Sequence, residues 1–256
     1  MKKFKVQIRT KNYSSAPLRR TIFHSNRAIV RLGSMVSTET AFPKGYANGR
    51  LITEINTVEA IENSRSKIKM KTCFGVGDIP QSEYYSIEEM RLLREADNIN
   101  FPVVAKRIFG FKGHGMRLIN NTEELINFLE NTNVNGYYFE KFYNYSREYR
   151  LHCTREECFM AWRKLRRSDA EERWFFNSSN CNWVSPNHEL FNIPRTWESI
   201  VNDCKRAITC TGLDIGAVDV RVAADGKYIV LEVNSAPALG EQGIEIYRVM
   251  INKLLK

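Results

Sequence analysis

The sequence predicts an α+β fold with mostly antiparallel strand pairing in its second half. Residues 215–234, IGAVDVRVAADGKYIVLEVN, hold two apolar runs around an Asp-Gly pair, one of the strongest short-range signals of a β-hairpin. Residues 148–153 and 158–165 are two more strand-like runs, joined by a short charged turn. Residues 196–210 carry apolar or small residues at helical spacing. Strands and helices therefore both contribute to the predicted core.

The other elements are bounded by turn residues and predicted in chain order. The predicted strands cover residues 26–36, 101–108, 116–120 and 137–142. The predicted helices cover residues 57–70, 86–98, 121–130 and 241–255. Residues 168–195 are polar and rich in Asn, Ser, Asp and Pro, which predicts a long loop that is either functional or mobile.

Length and composition are those of a globular protein. The chain has 256 residues, 43% of them hydrophobic and 26% charged, which is ample for a real core. It contains no apolar run of the roughly 18 residues that a membrane span needs. The N-terminus is basic but lacks the apolar segment of a secretory signal, so we expect a cytoplasmic protein without a membrane partner.

The charge balance points to anionic ligands. Lysine and arginine number 38 against 29 acidic residues, a net charge of +9. Such a balance suits nucleotide phosphates, an acidic substrate or nucleic acid. Aromatic residues near basic ones, such as Trp162 beside Arg163, keep nucleic-acid binding as an alternative, although no known RNA-binding or DNA-binding motif is present.

The predicted hairpin places acidic side chains together. If the Asp-Gly pair forms a two-residue turn, Asp219 lies directly opposite Glu232, and both side chains point to one face. Asn234 lies on the same face and adds an amide oxygen. These oxygens suit Mg²⁺. The alternative is that one carboxylate pairs with Arg221 or another base.

Two further motifs suggest contacts to a nucleotide. Lys106 ends an apolar strand just before a loop with several glycines, whose backbone can fold over phosphates. The alternative is an ordinary glycine turn beside a lysine. Glu140 stands at the end of an aromatic strand, where a strand-to-loop hinge can present backbone groups to an adenine edge. Glu148, further along, could accept from ribose hydroxyls, with a solvated strand edge as the alternative.

The order of these parts resembles the ATP-grasp superfamily of carboxylate–amine ligases. The segment DVRVAADGKYIVLEVNSAPAL resembles the family's metal-binding hairpin. FPVVAKRIFGFKGHGM is similar to its second-lysine strand and glycine-rich lid, and NTVEAIENSRSK to the helix that carries its first nucleotide-binding lysine. Together these segments cover roughly residues 56–245.

The resemblance implies an ATP-grasp fold in which two α+β lobes grip ATP between antiparallel sheets, with a short N-terminal α/β region. We expect a truncated N-terminal region at 1–80, a small lobe with the lid at 81–142, and a C-terminal lobe with the metal hairpin at 143–256. The implied activity is ATP-dependent activation of a carboxylate as an acyl phosphate, which an amine then converts to an amide or peptide-like bond.

The resemblance also implies a role for each site residue. The implied nucleotide contacts are Lys67 and Lys106 to phosphates, the lid residues Gly113, His114, Gly115 and Met116, the hinge residues Glu140, Lys141 and Phe142 to adenine, and Glu148 to ribose. The implied ligands of one or two Mg²⁺ ions, with Mn²⁺ as an alternative, are Asp219, Glu232 and Asn234. The residues implied to bind the γ-phosphate or the substrate carboxylate are Arg150, Lys164 and Arg221.

Several alternatives stay open at this point. A phosphotransferase of the same superfamily would phosphorylate without forming an amide, and a regulatory module would bind nucleotide without catalysis. The implied partners are a small-molecule or peptide carboxylate and an amine acceptor, with an anionic or macromolecular acceptor as a further option. A homodimer is also compatible with the resemblance.

Overall fold

The computed structural model describes residues 6–11, 13–20, 23, 27–42, 51–110, 112–177 and 179–256. The strands are β1 Val6–Thr10, β2 Ala28–Leu32, β3 Thr53–Ile55, β4 Tyr84–Tyr85, β5 Val103–Arg107, β6 Arg117–Ile119, β7 Tyr137–Lys141, β8 Arg147–Thr154, β9 Cys158–Arg166, β10 Cys181–Val184, β11 Ile215–Val222 and β12 Tyr228–Asn234. The α-helices are α1 Thr38–Ala41, α2 Val58–Arg65, α3 Lys67–Val76, α4 Ile87–Glu95, α5 Thr122–Asn131, α6 Trp197–Cys210 and α7 Glu241–Leu254. Short 3₁₀ helices cover Tyr13–Arg20 and Glu189–Phe191.

The strands form three sheets. Near the N-terminus β1, β2 and β3 pair in parallel. A four-stranded antiparallel sheet has the order β4-β7-β5-β6, and a five-stranded antiparallel sheet has the order β10-β9-β8-β11-β12. The predicted α+β class, with a short N-terminal α/β region and antiparallel pairing in the second half, is confirmed.

The hairpin of β11 and β12 has the predicted pairing at the site but a different turn. Asp219 lies opposite Glu232, as predicted. The predicted two-residue turn is wrong: Ala223 N donates to Lys227 O at 2.8 Å, so three residues form the turn. A β-bulge at Leu231 then adds one residue to the second strand and restores the register.

Two other local predictions are corrected. The helix predicted over 57–70 is two helices, because the side chain of Ser66 accepts from Lys69 N and starts α3 as its N-cap. The segment 168–195, predicted as a loop, contains β10, which pairs with β9 over four residues. Asn26 at the start of one predicted strand and Phe111 in the glycine loop lie outside the described residues.

The main core lies on one face of the five-stranded sheet. Helices α2, α3 and α6 cover this face, and their buried apolar residues pack with those of the strands. The buried core residues of these helices are Ala60, Ile61, Met70, Phe74, Ile200, Cys204, Ala207 and Ile208. The other face of the sheet carries the charged side chains of the candidate site.

The domain bounds at 80/81 and 142/143 stay a prediction. Of the helices in the described ranges, none is long and apolar enough to span a membrane.

Candidate active site between the two antiparallel sheets

Strand register brings the charged residues of the five-stranded sheet into two adjacent rows. Glu148 on β8 lies opposite Lys164 on one neighbouring strand and opposite Arg221 on the other. Asp219 on β11 lies opposite Arg150 on β8 and opposite Glu232 on β12. Directly opposed side chains share a face, so strands β8, β9, β11 and β12 present one continuous charged surface.

Asp219 is held by two cations. Arg150 Nε and Nη2 donate to its two carboxylate oxygens at 2.7 Å each, and Lys164 Nζ lies 3.2 Å from Oδ2. Asp219 is 2% exposed. Burial opposes ionisation, but Arg150 and Lys164 hold the pKa of Asp219 below its usual value. Asp219 therefore carries its charge at neutral pH.

Glu148 joins the same network from its other end. Lys164 Nζ donates to Glu148 Oε1 at 2.5 Å, and Arg221 Nε donates to Oε2 at 2.9 Å. Glu148 is 1% exposed, so its carboxylate is enclosed by these two cations. Lys164 thus bridges Glu148 and Asp219.

Glu232 pairs with a residue from α3. Lys67 Nζ donates to Glu232 Oε2 at 2.6 Å, and Asn234 Nδ2 donates to Oε1 at 3.1 Å. Although burial works against it, Lys67 lowers the pKa of Glu232. The first predicted nucleotide-binding lysine and two of the predicted metal ligands are therefore in direct contact.

Glu140 of the four-stranded sheet is surrounded by cations. Lys106 Nζ lies 2.5 Å from Oε2, Lys71 Nζ lies 3.2 Å from Oε1, and Tyr138 donates to Oε1 at 2.7 Å. Burial and the nearby Lys71 lower the pKa of Lys106 to about 8, even though Glu140 favours the charged form. The carboxylate of Glu140 is thus engaged by lysines, whereas sequence analysis placed this residue at adenine.

A cavity of about 290 Å³ lies at the hinge after β7. Lys141 and Phe142, both predicted adenine contacts, line it, together with Ile229 from β12 of the five-stranded sheet. Its remaining lining residues are Gln81, Ser82, Glu83, Tyr143 and Asn144. Residues from both antiparallel sheets thus meet around a space close to the lower end of ligand-pocket volumes.

The glycine-rich lid contacts the segment after β9. Gly113 has φ +77°, and a Cβ placed there would lie 2.4 Å from Phe175 Cε2. Gly115 has φ +75° and approaches Arg107 and the hydroxyl of Tyr137. Glycine therefore satisfies both the left-handed backbone and the close approach. Of the other two predicted lid residues, His114 is exposed and Met116 is half-buried.

Aromatic rings cover several of the site's cations. Trp183 on β10 lies with its ring centroid 5.0 Å from Arg150 Cζ and 5.2 Å from Lys164 Nζ. Arg221 Cζ lies 4.1 Å from the ring centroid of Tyr145. Such contacts hold cations through the ring quadrupole, so the rings help to fix the guanidinium and ammonium groups.

Cations outnumber carboxylates in this site. The six cationic side chains are Lys67, Lys71, Lys106, Arg150, Lys164 and Arg221. The four carboxylates are Glu140, Glu148, Asp219 and Glu232. A partly buried site with an excess of positive charge is suited to an anionic ligand.

Sequence analysis missed Lys71, Phe175 and Trp183. Lys71 could have been found, because it follows Lys67 by four residues and so lies on the same helix face. Phe175 and Trp183 lie in the segment that was predicted to be a loop, and only the folded chain brings them to the lid and to Arg150.

Comparison with known proteins agrees with this architecture. Residues 64–236 match the family model of the carbamoyl-phosphate synthase L chain, ATP binding domain, over more than half of the chain. The chain belongs to this ATP-grasp family. No curated protein sequence matches it significantly.

Solved structures show the ATP-grasp fold at low sequence identity. A carboxyaminoimidazole ribonucleotide synthase from Aspergillus clavatus, complexed with ATP, is 14% identical with a TM-score of 0.60; the match covers 89% of this chain and 62% of the synthase. The ATP-grasp ligase PsnB, complexed with a minimal precursor, is 12% identical with a TM-score of 0.63. The match covers 96% of this chain and 98% of PsnB. D-alanyl-alanine synthetase A from Vibrio cholerae is 15% identical with a TM-score of 0.61. The match covers 89% of this chain and 72% of the synthetase. This chain therefore spans less than two thirds of the Aspergillus enzyme.

The donor set at the ATP-grasp hairpin fits a divalent cation of the Mg²⁺ type. Asp219 and Glu232 are both kept ionised, as metal ligands must be, and Asn234 adds an amide. Mg²⁺ is usually bound by one or two carboxylates together with substrate phosphates. The described part of the chain contains no cluster of three or more His, Cys, Asp and Glu side chains placed to hold a metal.

Proposed function

We propose that the protein is an ATP-dependent ligase that activates a carboxylate as an acyl phosphate and joins it to an amine. The observation that carries this proposal is that Lys67 lies near carboxylates of both antiparallel sheets: it pairs with Glu232 and lies close to Asp219 and to Glu140, the partner of Lys106. We call the space between these residues the cleft. The excess of cations in that cleft supports a triphosphate as its ligand.

Nucleotide binding would use both lobes. Adenine occupies the cavity lined by Lys141, Phe142 and Ile229. Lys67 and Lys106 contact the phosphates, and the lid around Gly113 covers them with backbone N–H groups. Glu148, enclosed by Lys164 and Arg221 and 1% exposed, positions these two cations and does not itself reach the ribose hydroxyls.

In the proposed reaction a carboxylate oxygen of the substrate attacks the γ-phosphorus of ATP, and the bond to the bridging oxygen breaks to release ADP. The amine then attacks the acyl carbon of the acyl phosphate, loses a proton and releases inorganic phosphate. Arg150, Lys164 and Arg221 stabilise the negative charge on the transferring phosphoryl group and on the substrate carboxylate. The protein contributes positioning and fixed positive charge.

Asp219, Glu232 and Asn234 would hold one or two Mg²⁺ ions. Bound there, Mg²⁺ supplies charge neutralisation between the phosphate oxygens. Arg150 and Lys67 pair with Asp219 and Glu232 in the structure, so these two side chains would have to yield when a cation binds.

The proposal is tested by measuring ADP and phosphate release with libraries of acids and amines. Release that requires both an acid and an amine supports the ligase. Stable phosphorylated product without an amine requirement would favour a phosphotransferase, and ATP binding without turnover on any pair would favour a regulatory module.

The variant Glu232→Gln tests the site directly. It removes a metal ligand while keeping the side-chain volume, so we expect turnover to be lost while the far-ultraviolet circular dichroism spectrum stays unchanged. Glu245→Gln, on the exposed surface of α7, is a matched control that should keep full activity. Unchanged turnover in Glu232→Gln would remove the metal assignment.

A further inference from the structure

Lys71 is a buried lysine to which the proposed reaction gives no role. It lies on α3, one turn after Lys67, and its side chain is 0% exposed. Its Nζ lies 3.2 Å from Glu140 Oε1 as an ion pair, but it has no hydrogen-bond partner among the described residues. Burying an ammonium group in this way costs stability, so its position requires an explanation.

Glu140 is the group that Lys71 and Lys106 share. Lys106 Nζ lies 2.5 Å from one carboxylate oxygen, while Lys71 Nζ and the hydroxyl of Tyr138 lie near the other. This cluster contains two cations and one anion, which leaves one positive charge in excess in a place shielded from water. One further anion, such as a phosphate, would balance it.

Exposure separates the roles of the three lysines near the cleft. The side chain of Lys67 is 17% exposed and that of Lys106 is 9% exposed, so both keep some contact with solvent. Lys71 is 0% exposed and pairs with Glu140. A ligand in the cleft can therefore meet Lys67 and Lys106, but not Lys71.

We propose that Lys71 is a positioning residue that keeps Glu140 neutralised while Lys106 moves from this carboxylate to a nucleotide phosphate. This inference rests on the proposed nucleotide site. For Lys106 to bind a phosphate, its contact with Glu140 must weaken. Without Lys71 that movement would leave a buried carboxylate without a cation, which is strongly unfavourable. With Lys71 present, Lys71 neutralises Glu140 after the exchange and Lys106 neutralises the phosphate.

The test is a double-mutant cycle on ADP affinity, measured by isothermal titration calorimetry in the presence of MgCl₂. Lys71→Met should weaken ADP binding by about tenfold, because Glu140 then retains Lys106. In a Glu140→Gln background the same replacement should change the affinity by less than about twofold, because a neutral amide does not hold the lysine. Lys69→Met, a replacement at a more exposed lysine of the same helix that pairs with Glu62, is the matched control and should bind ADP normally.

Two outcomes would overturn this role. Normal ADP affinity in Lys71→Met would show that Glu140 does not need Lys71 to neutralise its charge. An equal loss in both backgrounds would show that Lys71 acts on the nucleotide directly. A wild-type protein that binds no ADP would instead overturn the proposed function together with this inference.

Two further measurements extend the test, and the first of them covers a folding defect in Lys71→Met. If Lys71→Met does not fold, Lys71→Met combined with Glu140→Gln removes one charge of each sign and is compared with Glu140→Gln alone; a tenfold difference would overturn the proposal. The pH profile is the second measurement. Lys71 and Arg221 both lower the pKa of Lys106 through their charges. Removing the positive charge of Lys71 should therefore shift to higher pH the point at which ADP affinity falls, and an unchanged point would contradict the closeness of a charged Lys71 to Lys106.

Discussion

Replacing Arg150 with methionine tests whether Asp219 can bind a divalent cation. Arg150 donates to both oxygens of this largely buried carboxylate at 2.7 Å. Removing one partner of a buried ion pair costs about 3–5 kcal/mol. Because Lys164 remains 3.2 Å from Oδ2, we expect the lower end, about 3 kcal/mol. The corresponding decrease in Tm is roughly 6–12 °C.

Magnesium should reverse most of this loss. Without Arg150, Asp219 lies opposite Glu232 with one cation fewer nearby, so a divalent ion meets less competition for the carboxylate. A ligand at 100 times its Kd stabilises the folded state by about 2.7 kcal/mol. The assay is thermal unfolding without nucleotide, with and without MgCl₂.

The control for this experiment is Arg155→Met. Arg155 also pairs with an aspartate, Asp214, at 3.0 Å, but this pair is more exposed and lies outside the site. We expect MgCl₂ to raise the Tm of Arg150→Met clearly more than that of wild type or Arg155→Met. Equal increases in all three proteins would refute the assignment of Asp219 as a metal ligand.

Two other predictions concern the lid and the second lysine. Gly113→Ala should weaken ADP binding by about tenfold, because its Cβ would overlap Phe175. Phe175→Ala in the same chain should restore part of the affinity, since it relieves the overlap but not the strain of the positive φ. Gly136→Ala is the control, since Gly136 has a similar φ of +81° with open space around its Cβ; equal effects at both glycines would contradict the contact. ADP affinity should fall as pH rises through about 8, because Lys106 then loses the proton that attracts phosphate. Calorimetry across this range checks it, and a flat profile would contradict the assignment.

The hairpin of β11 and β12 shows how two local features compensate. Counting from a two-residue turn correctly placed Asp219 opposite Glu232, although the turn has three residues. The extra turn residue shifts the register by one, and the bulge at Leu231 shifts it back. Nothing in the local pattern marks Leu231 as a bulge, because it resembles any other strand residue. The pairing at the site was therefore predictable while the path of the chain to it was not.

Elements with strong local signals were predictable, and those that depend on distant partners were not. Helix α4 begins at Ser86 with a capping box to Glu89, and α6 has a clear apolar stripe. Strand β10, in contrast, has only four residues in a polar segment and forms by pairing with β9. Such a short strand has little propensity of its own, so its contribution of Trp183 to the site could not be predicted.

Opposed like charges on neighbouring strands cost stability, and in this fold cations on neighbouring elements offset them. In the folded chain Arg150 and Lys164 offset Asp219, and Lys67 offsets Glu232, so the pair is stable without a metal. The same contacts mean that ligands enter this site by exchanging partners. A phosphate that draws Lys67 away leaves Glu232 without its cation, and a metal ion is the natural replacement. Under the proposed function, nucleotide and metal binding would be coupled through the same side chains, and by linkage each would strengthen the other to the same degree.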